Sequence, residues 1–446
     1  MLAAVFLVFY LSGLPAVPFH PDESSQISLS GDFAALFLQR DWASLAWTPG
    51  QPLTPQMQLR LLDAPLTRYF IGLSGWLRGL STADLNTDWV WWQTWDENAA
   101  AGHLPPPALL LASRVPAAVL SALAVGLMFW IVYEARGPGL GLAAALLLGL
   151  NPLVLLHGRR AMAEGALLFF SLLAVWGMVR LAQAAGEPRN TAPKLALLAL
   201  GVGGLVGLAA SSKQSAAGLL PAAAAALALP LLRPSASRAL RFSLARLLAA
   251  WLGLGLGCGL AFWAVNPVLY RDPVNGLRAM IAARADLLQQ QTVAQSSGAP
   301  QTLTPDPWSR LQAALSQIYL SRPAVWDVPF YLEQLSPQAE SYFAQPVERL
   351  TAWPGWGVLL AGLGVVGLLA SGVRLWHDRL GPATRAEQTL WWWMLGVWAV
   401  VLLTTPFDWQ RYFMLLVPPA CLLAALGIER LARPAGQLIV KRIPQN

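Results

Sequence analysis

Long apolar runs alternate with shorter polar connections along most of the chain. A helix needs about 20 mainly apolar residues to cross about 30 Å of hydrocarbon. Ten runs approach or reach that length, so the pattern predicts an all-α polytopic membrane protein with about ten transmembrane helices. The runs lie at 2–18, 108–133, 138–156, 164–182, 195–211, 214–232, 247–265, 354–373, 389–405 and 412–428.

The segment 64–80 is nearly long enough to cross a membrane, but it contains Arg68 and Arg78. Its large apolar residues recur at helical spacing opposite polar ones, which predicts a helix lying on the membrane surface. A second surface helix is predicted to begin near Asp22, because Pro21 and the acidic pair suit a helix N-terminus. We therefore expect juxtamembrane helices after the first apolar run.

The basic residues are unevenly shared between the two sets of connections. With a cytoplasmic N-terminus and 64–80 on the surface, one set holds 15 of the 30 Lys and Arg residues but five of the 23 acidic residues. The positive-inside rule assigns this set, including the C-terminal tail, to the cytoplasm. The set comprises 134–137, 180–194, 233–246, 374–388 and the tail 429–446. Two long segments, 19–107 and 266–352, then lie outside.

This topology divides the chain into three predicted parts. Residues 1–265 form a membrane module with the first external loop, 266–353 form the second external loop, and 354–446 form the last membrane helices and a cytoplasmic tail. The run 2–18 could be a cleaved leader, because Ala16 could serve a small-residue cleavage site, and the absence of a basic region before it also allows an upstream start. We interpret it as a retained span.

Composition narrows the class of protein. With 56% hydrophobic and 12% charged residues, the chain is not expected to be a soluble enzyme with a single anchor. The net charge of +7 is attributed to the cytoplasmic connections rather than to nucleic-acid binding. Cys258 and Cys421 lie in apolar runs and predict neither a disulfide nor a metal site. The sequence has no glycine-rich phosphate loop, which argues against a nucleotide-dependent enzyme.

An acidic pair, Asp22-Glu23, directly follows the first apolar run. A carboxylate at the edge of a membrane can be partly desolvated and still reach a soluble substrate, so Asp22 is predicted to act as a general base. The alternative role for Asp22 is a helix N-cap, and the two roles are compatible.

Several other polar residues are predicted to face the same external edge as Asp22. Arg114 lies inside a helix and Lys213 lies between two apolar half-runs, where a cation is costly unless it is paired or hydrated. Any one of them could be an interfacial residue that reaches towards water. Together they predict a cationic cavity for a phosphate-bearing lipid. The residues are Arg68, Arg114, His157, Arg159, Arg160, Glu164, Lys213, Tyr270, Arg271, Asp408, Arg411 and Tyr412.

The order and setting of these residues resemble the GT-C superfamily of integral-membrane glycosyltransferases. The resemblance is to the polyprenyl-phosphate-sugar branch, which includes protein O-mannosyltransferases and aminoarabinose transferases. The matching motifs are Asp22-Glu23, Pro65-Leu66-Thr67-Arg68-Tyr69, Arg159-Arg160-Ala161-Met162-Ala163-Glu164, Lys213, Asn266-Pro267 and Arg411-Tyr412. Two positions depart from the family: Glu164 stands where Asp is common, and Asp63-Ala64-Pro65 stands where many members have His-Pro-Pro.

The resemblance implies a GT-C fold and a monosaccharide donor carried on polyprenyl phosphate in the plasma (inner) membrane. Asp22 would take the proton of an acceptor hydroxyl on the extracytoplasmic side while the hydroxyl oxygen attacks the anomeric carbon, whose configuration is inverted. Glu23 would orient the acceptor or a cation. The acceptor could be protein, glycan or lipid, and no metal cofactor is expected. The expected phosphate ligands are Arg159, Arg160, Lys213 and Arg411, with Arg114 and Arg271 as second candidates. The expected sugar or acceptor contacts are Arg68, His157, Glu164, Tyr270 and Tyr412, with a structural hydrogen bond as the alternative for His157.

Other interpretations remain open at this point. The Trp-rich stretch 88–95 suits either an aromatic belt at the membrane interface or stacking on a sugar. A transporter or flippase for lipid-linked sugars would also have a cationic cavity, but it would carry polar residues through the depth of the bundle. The stretches Leu140–Leu150 and Leu247–Ala264 are almost wholly apolar, which favours an enzyme. A non-catalytic assembly subunit is the third class, and for it Asp22 would be dispensable.

Overall fold

The structure is a computed structural model that describes residues 1–187, 189–232, 239–327, 330–377 and 385–440. Within these residues the regular structure is helical, apart from one isolated bridge between Leu303 and Phe407. The prediction of an all-α protein is thus confirmed. The α-helices are α1 (Leu2–Ser12), α2 (Pro21–Ser28), α3 (Pro55–Leu62), α4 (Leu66–Trp76), α5 (Trp95–Ala100), α6 (Pro107–Arg136), α7 (Pro138–Gly149), α8 (Pro152–His157), α9 (Ala163–Ala185), α10 (Ala192–Ala210), α11 (Leu219–Leu232), α12 (Ala239–Val265), α13 (Pro273–Gly298), α14 (Pro307–Leu315), α15 (Leu332–Ala344), α16 (Pro346–Thr351), α17 (Pro354–His377), α18 (Arg385–Thr404) and α19 (Val417–Val440).

Seven helices of the described part are long and apolar enough to cross a membrane. They coincide with seven of the predicted runs, as expected of a multi-pass membrane protein. The other runs form the shorter apolar helices Leu2–Ser12, Pro138–Gly149 and Gln214–Ala228. The seven long helices are Pro107–Arg136, Ala163–Ala185, Ala192–Ala210, Leu244–Val265, Pro354–Gly372, Arg385–Thr404 and Gln410–Ala432. The predicted connections 233–246 and 374–388 and the tail 429–446 lie partly outside the described residues.

The run 138–156 differs most clearly from a continuous span. It is divided between α7 and α8, which meet at Asn151 and Pro152. Pro152 has no backbone N–H and disfavours a helical conformation of the residue before it, so one helix ends and another begins. The Asn151 side chain then caps α8 by accepting a hydrogen bond from the Leu153 N–H at 3.0 Å.

The helix α2, which follows the first apolar run, begins where the sequence predicts but with a different N-cap. His20 is the N-cap, because its Nδ1 accepts a hydrogen bond from the Asp22 N–H at 3.1 Å. The Glu23 carboxylate accepts from the His20 N–H at 3.0 Å, which completes a capping box. The capping role considered for Asp22 is therefore filled by His20, and the Asp22 carboxylate is left for other contacts.

The helix predicted to lie on the membrane surface is α4. It has 11 residues and extends about 16 Å, too short to cross a bilayer. At its start the Leu66 N–H donates to the Ser211 carbonyl at 2.9 Å, and further along Ser74 Oγ donates to the Ala112 carbonyl at 2.8 Å. The first bond holds the turn before α4, which contains Asp63, against the end of α10, and the second holds α4 against α6.

The helices α10 and α12 pack with their backbones in contact at glycines. A Cβ added to Gly203 would lie 2.1 Å from the Leu254 carbonyl oxygen, and one added to Gly257 would lie 2.0 Å from the Leu200 carbonyl oxygen. Both helices carry a further glycine four positions away, the spacing that lets membrane helices approach closely. Small residues therefore matter here, because lipid supplies no hydrophobic force to bring two apolar helices together.

The substitution Gly257→Ala is expected to destabilise the protein by about 1–3 kcal/mol, because the added methyl group must push the two backbones apart. Gly255→Ala is the matched control, since its Cβ would meet open space and alanine favours a helix over glycine by up to about 1 kcal/mol. Thermal unfolding of both variants in detergent measures the difference. Equal melting temperatures for the two would contradict the close packing of α10 and α12.

Candidate active site

The carboxylate of Asp22 is paired with a guanidinium from the other end of the chain. Its side chain, in the first turn of α2, is 28% exposed and forms an ion pair with Arg411. Arg411 lies in the 3₁₀ segment Gln410–Leu416 that leads into α19, and its Nε is 2.6 Å from Asp327 Oδ2. One guanidinium thus bridges two carboxylates, of which Asp22 is open to solvent and Asp327 is buried.

Asp327, in the segment between α12 and α17, holds Arg411 in place. Its Oδ2 also lies 3.4 Å from His20 Nε2. Burial by itself would raise the pKa of Asp327, but Arg411 and His20 outweigh it and hold this pKa well below its ordinary value. Asp327 is absent from the predicted site residues, because it lies in an irregular segment that shows no motif.

A second ion pair lies beside the first. Lys213 Nζ is 2.9 Å from Glu164 Oε1 and 3.4 Å from the Arg411 carbonyl oxygen. The Tyr412 ring centroid is 5.3 Å from Lys213 Nζ and 5.9 Å from Arg411 Cζ. The structure therefore brings these four predicted residues to the same place as Asp22. The Lys213 side chain is 22% exposed and that of Arg411 is 16% exposed, so both can be reached from outside.

Glu23 and Arg114 form a buried ion pair beneath α2. Arg114 Nε and Nη2 each lie 2.7 Å from one Glu23 oxygen, and the Ala161 N–H donates to Glu23 at 2.8 Å. Burial would raise the pKa of Glu23, but Arg114 outweighs it and keeps the carboxylate ionised. Arg114 also donates to the carbonyls of Val17 and Pro18. Arg114, expected as a second phosphate candidate, is thus enclosed and ties the end of the first apolar run to α6.

Arg159 and Arg160 are also enclosed, in contrast to their expected role as phosphate ligands. Both are fully buried. Arg159 Nη2 donates to Glu348 at 2.8 Å, while Arg160 donates to the Pro18 and Val325 carbonyls at 3.2 and 2.7 Å. Glu348 and Val325 come from the segment between α12 and α17, so spacing in the sequence could not show that this segment covers the arginine pair.

Arg68 is buried in a third charged group. Its Nε lies 3.0 Å from Asp32 Oδ2, and Arg60 Nη2 lies 2.7 Å from Asp32 Oδ1. Neither Asp32 nor Arg60 is among the predicted site residues. His157 is also buried, and in the described part of the chain neither ring nitrogen has a hydrogen-bond partner. The structural hydrogen bond considered for His157 is therefore not found among these residues.

The contacts of Tyr270 and Arg271 do not involve Asp22, Arg411 or Lys213. The Tyr270 hydroxyl donates to the Ala264 carbonyl at 2.6 Å, and its ring centroid is 5.5 Å from that of Trp263. Arg271 is exposed and donates to Thr48 Oγ1 at 3.1 Å. Their proposed roles in donor or acceptor binding remain predictions without direct geometric support.

The Trp-rich stretch 88–95 contains both a buried and an exposed tryptophan. Trp89 is 3% exposed, and its ring centroid is 5.7 Å from that of Phe19 and 5.3 Å from that of Tyr331. Trp92 is 88% exposed. Trp89 therefore packs against the residue just before His20, and the outer indoles are left for the membrane interface or a sugar.

The site is thus a cluster of charges from α2, the start of α9, the 3₁₀ segment before α19, the end of α10 and the segment between α12 and α17. A family model described as dolichyl-phosphate-mannose-protein mannosyltransferase matches residues 36–240, a little under half of the chain. The match includes Glu164 and Lys213, and it confirms the resemblance to the GT-C membrane glycosyltransferases within those residues.

Solved structures of the archaeal oligosaccharyltransferase AglB from Archaeoglobus fulgidus are also similar. One, in complex with an inhibitory peptide and a dolichol-phosphate, is 13% identical, matches 100% of this chain and 52% of its own, and has a TM-score of 0.48. The apo form is 13% identical with the same coverage and a TM-score of 0.49. This chain therefore spans about half the length of those structures. No curated protein sequence matches it.

The substitution Glu23→Gln is expected to destabilise the protein by about 3–5 kcal/mol, because it leaves the buried guanidinium of Arg114 without its counter-charge. Glu340→Gln, at an exposed position of α15, is the control and is expected to change stability by less than about 0.5 kcal/mol. Thermal unfolding in detergent measures both. A Glu23→Gln variant as stable as the control would show that the pair does not fix α2.

Proposed function

We propose that the chain is a membrane glycosyltransferase. It transfers a monosaccharide from a polyprenyl-phosphate carrier to an acceptor hydroxyl, with Asp22 as the general base and inversion at the anomeric carbon. The observation that carries this proposal is the meeting of Asp22 with two accessible cations, Arg411 and Lys213, at the ends of membrane helices. The family match over 36–240 supports the same class of reaction.

The donor phosphate binds at Arg411 and Lys213. Both cations are partly exposed, and both are paired with carboxylates that a phosphate can replace as partners. Asp327 keeps Arg411 in place during this exchange, because it holds Nε while the Asp22 ion pair uses Nη1. Phosphate binding then releases Asp22 from its ion pair, so the base becomes free when the donor is present.

The transfer itself moves one proton and one electron pair. The acceptor hydroxyl gives its proton to the Asp22 carboxylate while its oxygen attacks the anomeric carbon from the face opposite the phosphate. The bond from the anomeric carbon to the phosphate oxygen breaks, and the electron pair stays on that oxygen. Arg411 and Lys213 stabilise the growing charge, and such fixed cations are most effective where water is excluded. The proposed reaction calls for no metal.

The reaction takes place on the extracytoplasmic face of the plasma membrane, with both termini in the cytoplasm. The positive-inside distribution supports this orientation, because it leaves Asp22 in an external segment. A donor held within the bilayer can then meet an acceptor protein, glycan or lipid outside the cell.

The substitution Asp22→Asn is expected to lower sugar transfer at least a hundredfold while donor binding is retained, because the amide cannot take a proton. The assay offers labelled polyprenyl-phosphate mannose, glucose or arabinose to the purified protein in lipid nanodiscs. Asp96→Asn is the matched control, since Asp96 is exposed on α5. Undiminished transfer by Asp22→Asn would refute the base, and movement of the lipid without any transfer would instead identify a flippase.

The substitution Lys213→Gln is expected to weaken donor binding about tenfold or more, because a hydrogen bond from a charged donor to the phosphate is lost. Glu164 would then be buried without a counter-charge, so the double variant Lys213→Gln/Glu164→Gln is prepared to preserve the fold. Weak donor binding that persists in the double variant supports the phosphate site. Lys194→Gln, at an exposed residue of α10, is the control. Recovery of full donor binding in the double variant would assign Lys213 a structural role only.

A further inference from the structure

We propose that Gln26 and Asp63 form a subsite that binds hydroxyl groups of the sugar carried by the donor. This inference rests on the proposed function and goes beyond it, because it assigns the recognition of the sugar to two residues outside the phosphate site.

Gln26 and Asp63 meet beside the proposed base. Gln26 follows Asp22 by four residues on α2, so both side chains lie on the same face of that helix. Its Nε2 donates to Asp63 Oδ2 at 3.2 Å. Asp63 lies in the turn between α3 and α4, and its backbone carbonyl accepts from Arg68 Nη1 at 3.4 Å.

The turn that carries Asp63 is fixed to the same part of the bundle as Lys213. Gln214, the residue after Lys213, donates from Nε2 to the Leu62 carbonyl at 3.2 Å. The Leu66 N–H donates to the Ser211 carbonyl at 2.9 Å. Bonds on both sides of Asp63 therefore position its carboxylate between α2 and the end of α10, next to the phosphate site.

The two side chains present hydrogen-bond acceptors that the protein itself does not use. Gln26 is 8% exposed, and its Oε1 is sealed from solvent without a donor among the described residues. Asp63 Oδ1 also has no hydrogen-bond donor among those residues. A buried acceptor without a donor is destabilising, so Gln26 Oε1 is prepared for a ligand that donates a hydrogen bond. The half-buried Asp63 carboxylate can accept a second hydrogen bond from the same ligand.

The charged groups around Asp63 indicate that it lies near both Asp22 and Arg411. Burial raises the pKa of Asp63 to about 6, and the Asp22 carboxylate adds to the effect. Arg68, Arg284 and Arg411 act in the opposite direction. Asp63 is therefore within electrostatic reach of both the proposed base and the phosphate-binding guanidinium.

A sugar hydroxyl fits this subsite better than a phosphate does. Hydroxyl groups donate hydrogen bonds, and a carboxylate and an amide carbonyl both accept them. A phosphate has only acceptors to offer at neutral pH and would be repelled by the carboxylate. The cations at Arg411 and Lys213 and the acceptors at Gln26 and Asp63 therefore suit the two parts of one ligand, a sugar phosphate.

The test compares two lipids that differ only in the sugar. Binding of labelled polyprenyl-phosphate sugar and of polyprenyl phosphate is measured for the full chain in nanodiscs, with mannose, glucose and arabinose as the sugars. Asp63→Asn and Gln26→Met are each expected to weaken binding of the best sugar-bearing lipid about tenfold. Binding of polyprenyl phosphate is expected to stay unchanged, as is all binding by the control Asp96→Asn.

The pH dependence provides a second readout that a purely structural role would not produce. The acceptor is the ionised carboxylate, which predominates above a pKa of about 6 and is lost as the pH falls through that value. The wild-type preference for the sugar-bearing lipid should therefore decline between pH 7 and pH 5. In Asp63→Asn this decline should be absent.

The following outcomes would overturn the subsite. If the variants bound both lipids more weakly to the same extent, Asp63 and Gln26 would be assigned to phosphate binding or to the stability of the fold. If binding of both lipids were unchanged, neither residue would have a role in donor binding. If the variants bound both lipids normally but bound the acceptor more weakly, Gln26 and Asp63 would be assigned to acceptor binding instead. Wild-type protein that binds polyprenyl phosphate but gains nothing from the sugar would refute the subsite alone, whereas binding of neither lipid would refute the proposed function as well.

Discussion

The buried ion pair between Glu23 and Arg114 is the interaction on which the rest of the site depends. It ties α2 to α6 and, through the carbonyls of Val17 and Pro18, to the end of the first apolar run. A charge pair withdrawn from water in this way is retained only if both partners keep their hydrogen bonds, and here they do. The position of Asp22, one residue before Glu23, follows from this attachment.

The basic residues near Asp22 and beneath α2 divide into two groups by their access to solvent. Arg68, Arg114, Arg159 and Arg160 are enclosed and each is held by a carboxylate or by carbonyl groups, so they connect the loops to the membrane helices. Arg411 and Lys213 remain partly exposed beside Asp22. Burial, rather than charge, therefore separates the cations that build the site from those that can meet a substrate.

The membrane helices provide a rigid and apolar support for this edge. Glycines let α10 and α12 come into backbone contact, and α10 ends at the turn that precedes Lys213. Because α10 and α12 pack closely, the end of α10 is held in place. Ser211 and Gln214, at and after that end, form hydrogen bonds with the turn around Asp63 and so hold that turn in place. Packing of the helices and placement of the polar groups are thus coupled.

The sequence by itself determined the class of fold and several of the residues around Asp22. Apolar runs specify membrane helices because lipid leaves no other way to satisfy the backbone, and the acidic pair at the end of the first run identified Asp22. The grouping of Asp22 with Lys213, Glu164 and Arg411 was also predictable, because each follows or precedes a span on one side.

Only the tertiary structure decided which arginines are covered. The sequence predicts Arg159 and Arg160 to be accessible cations, but the segment between α12 and α17 places Glu348 and Val325 over them. Asp327 and the pairing of Gln26 with Asp63 likewise depend on contacts between segments that are distant in the chain. The physical reason is that helix periodicity and hydropathy are local properties, whereas burial of a charge is set by what packs on it from elsewhere.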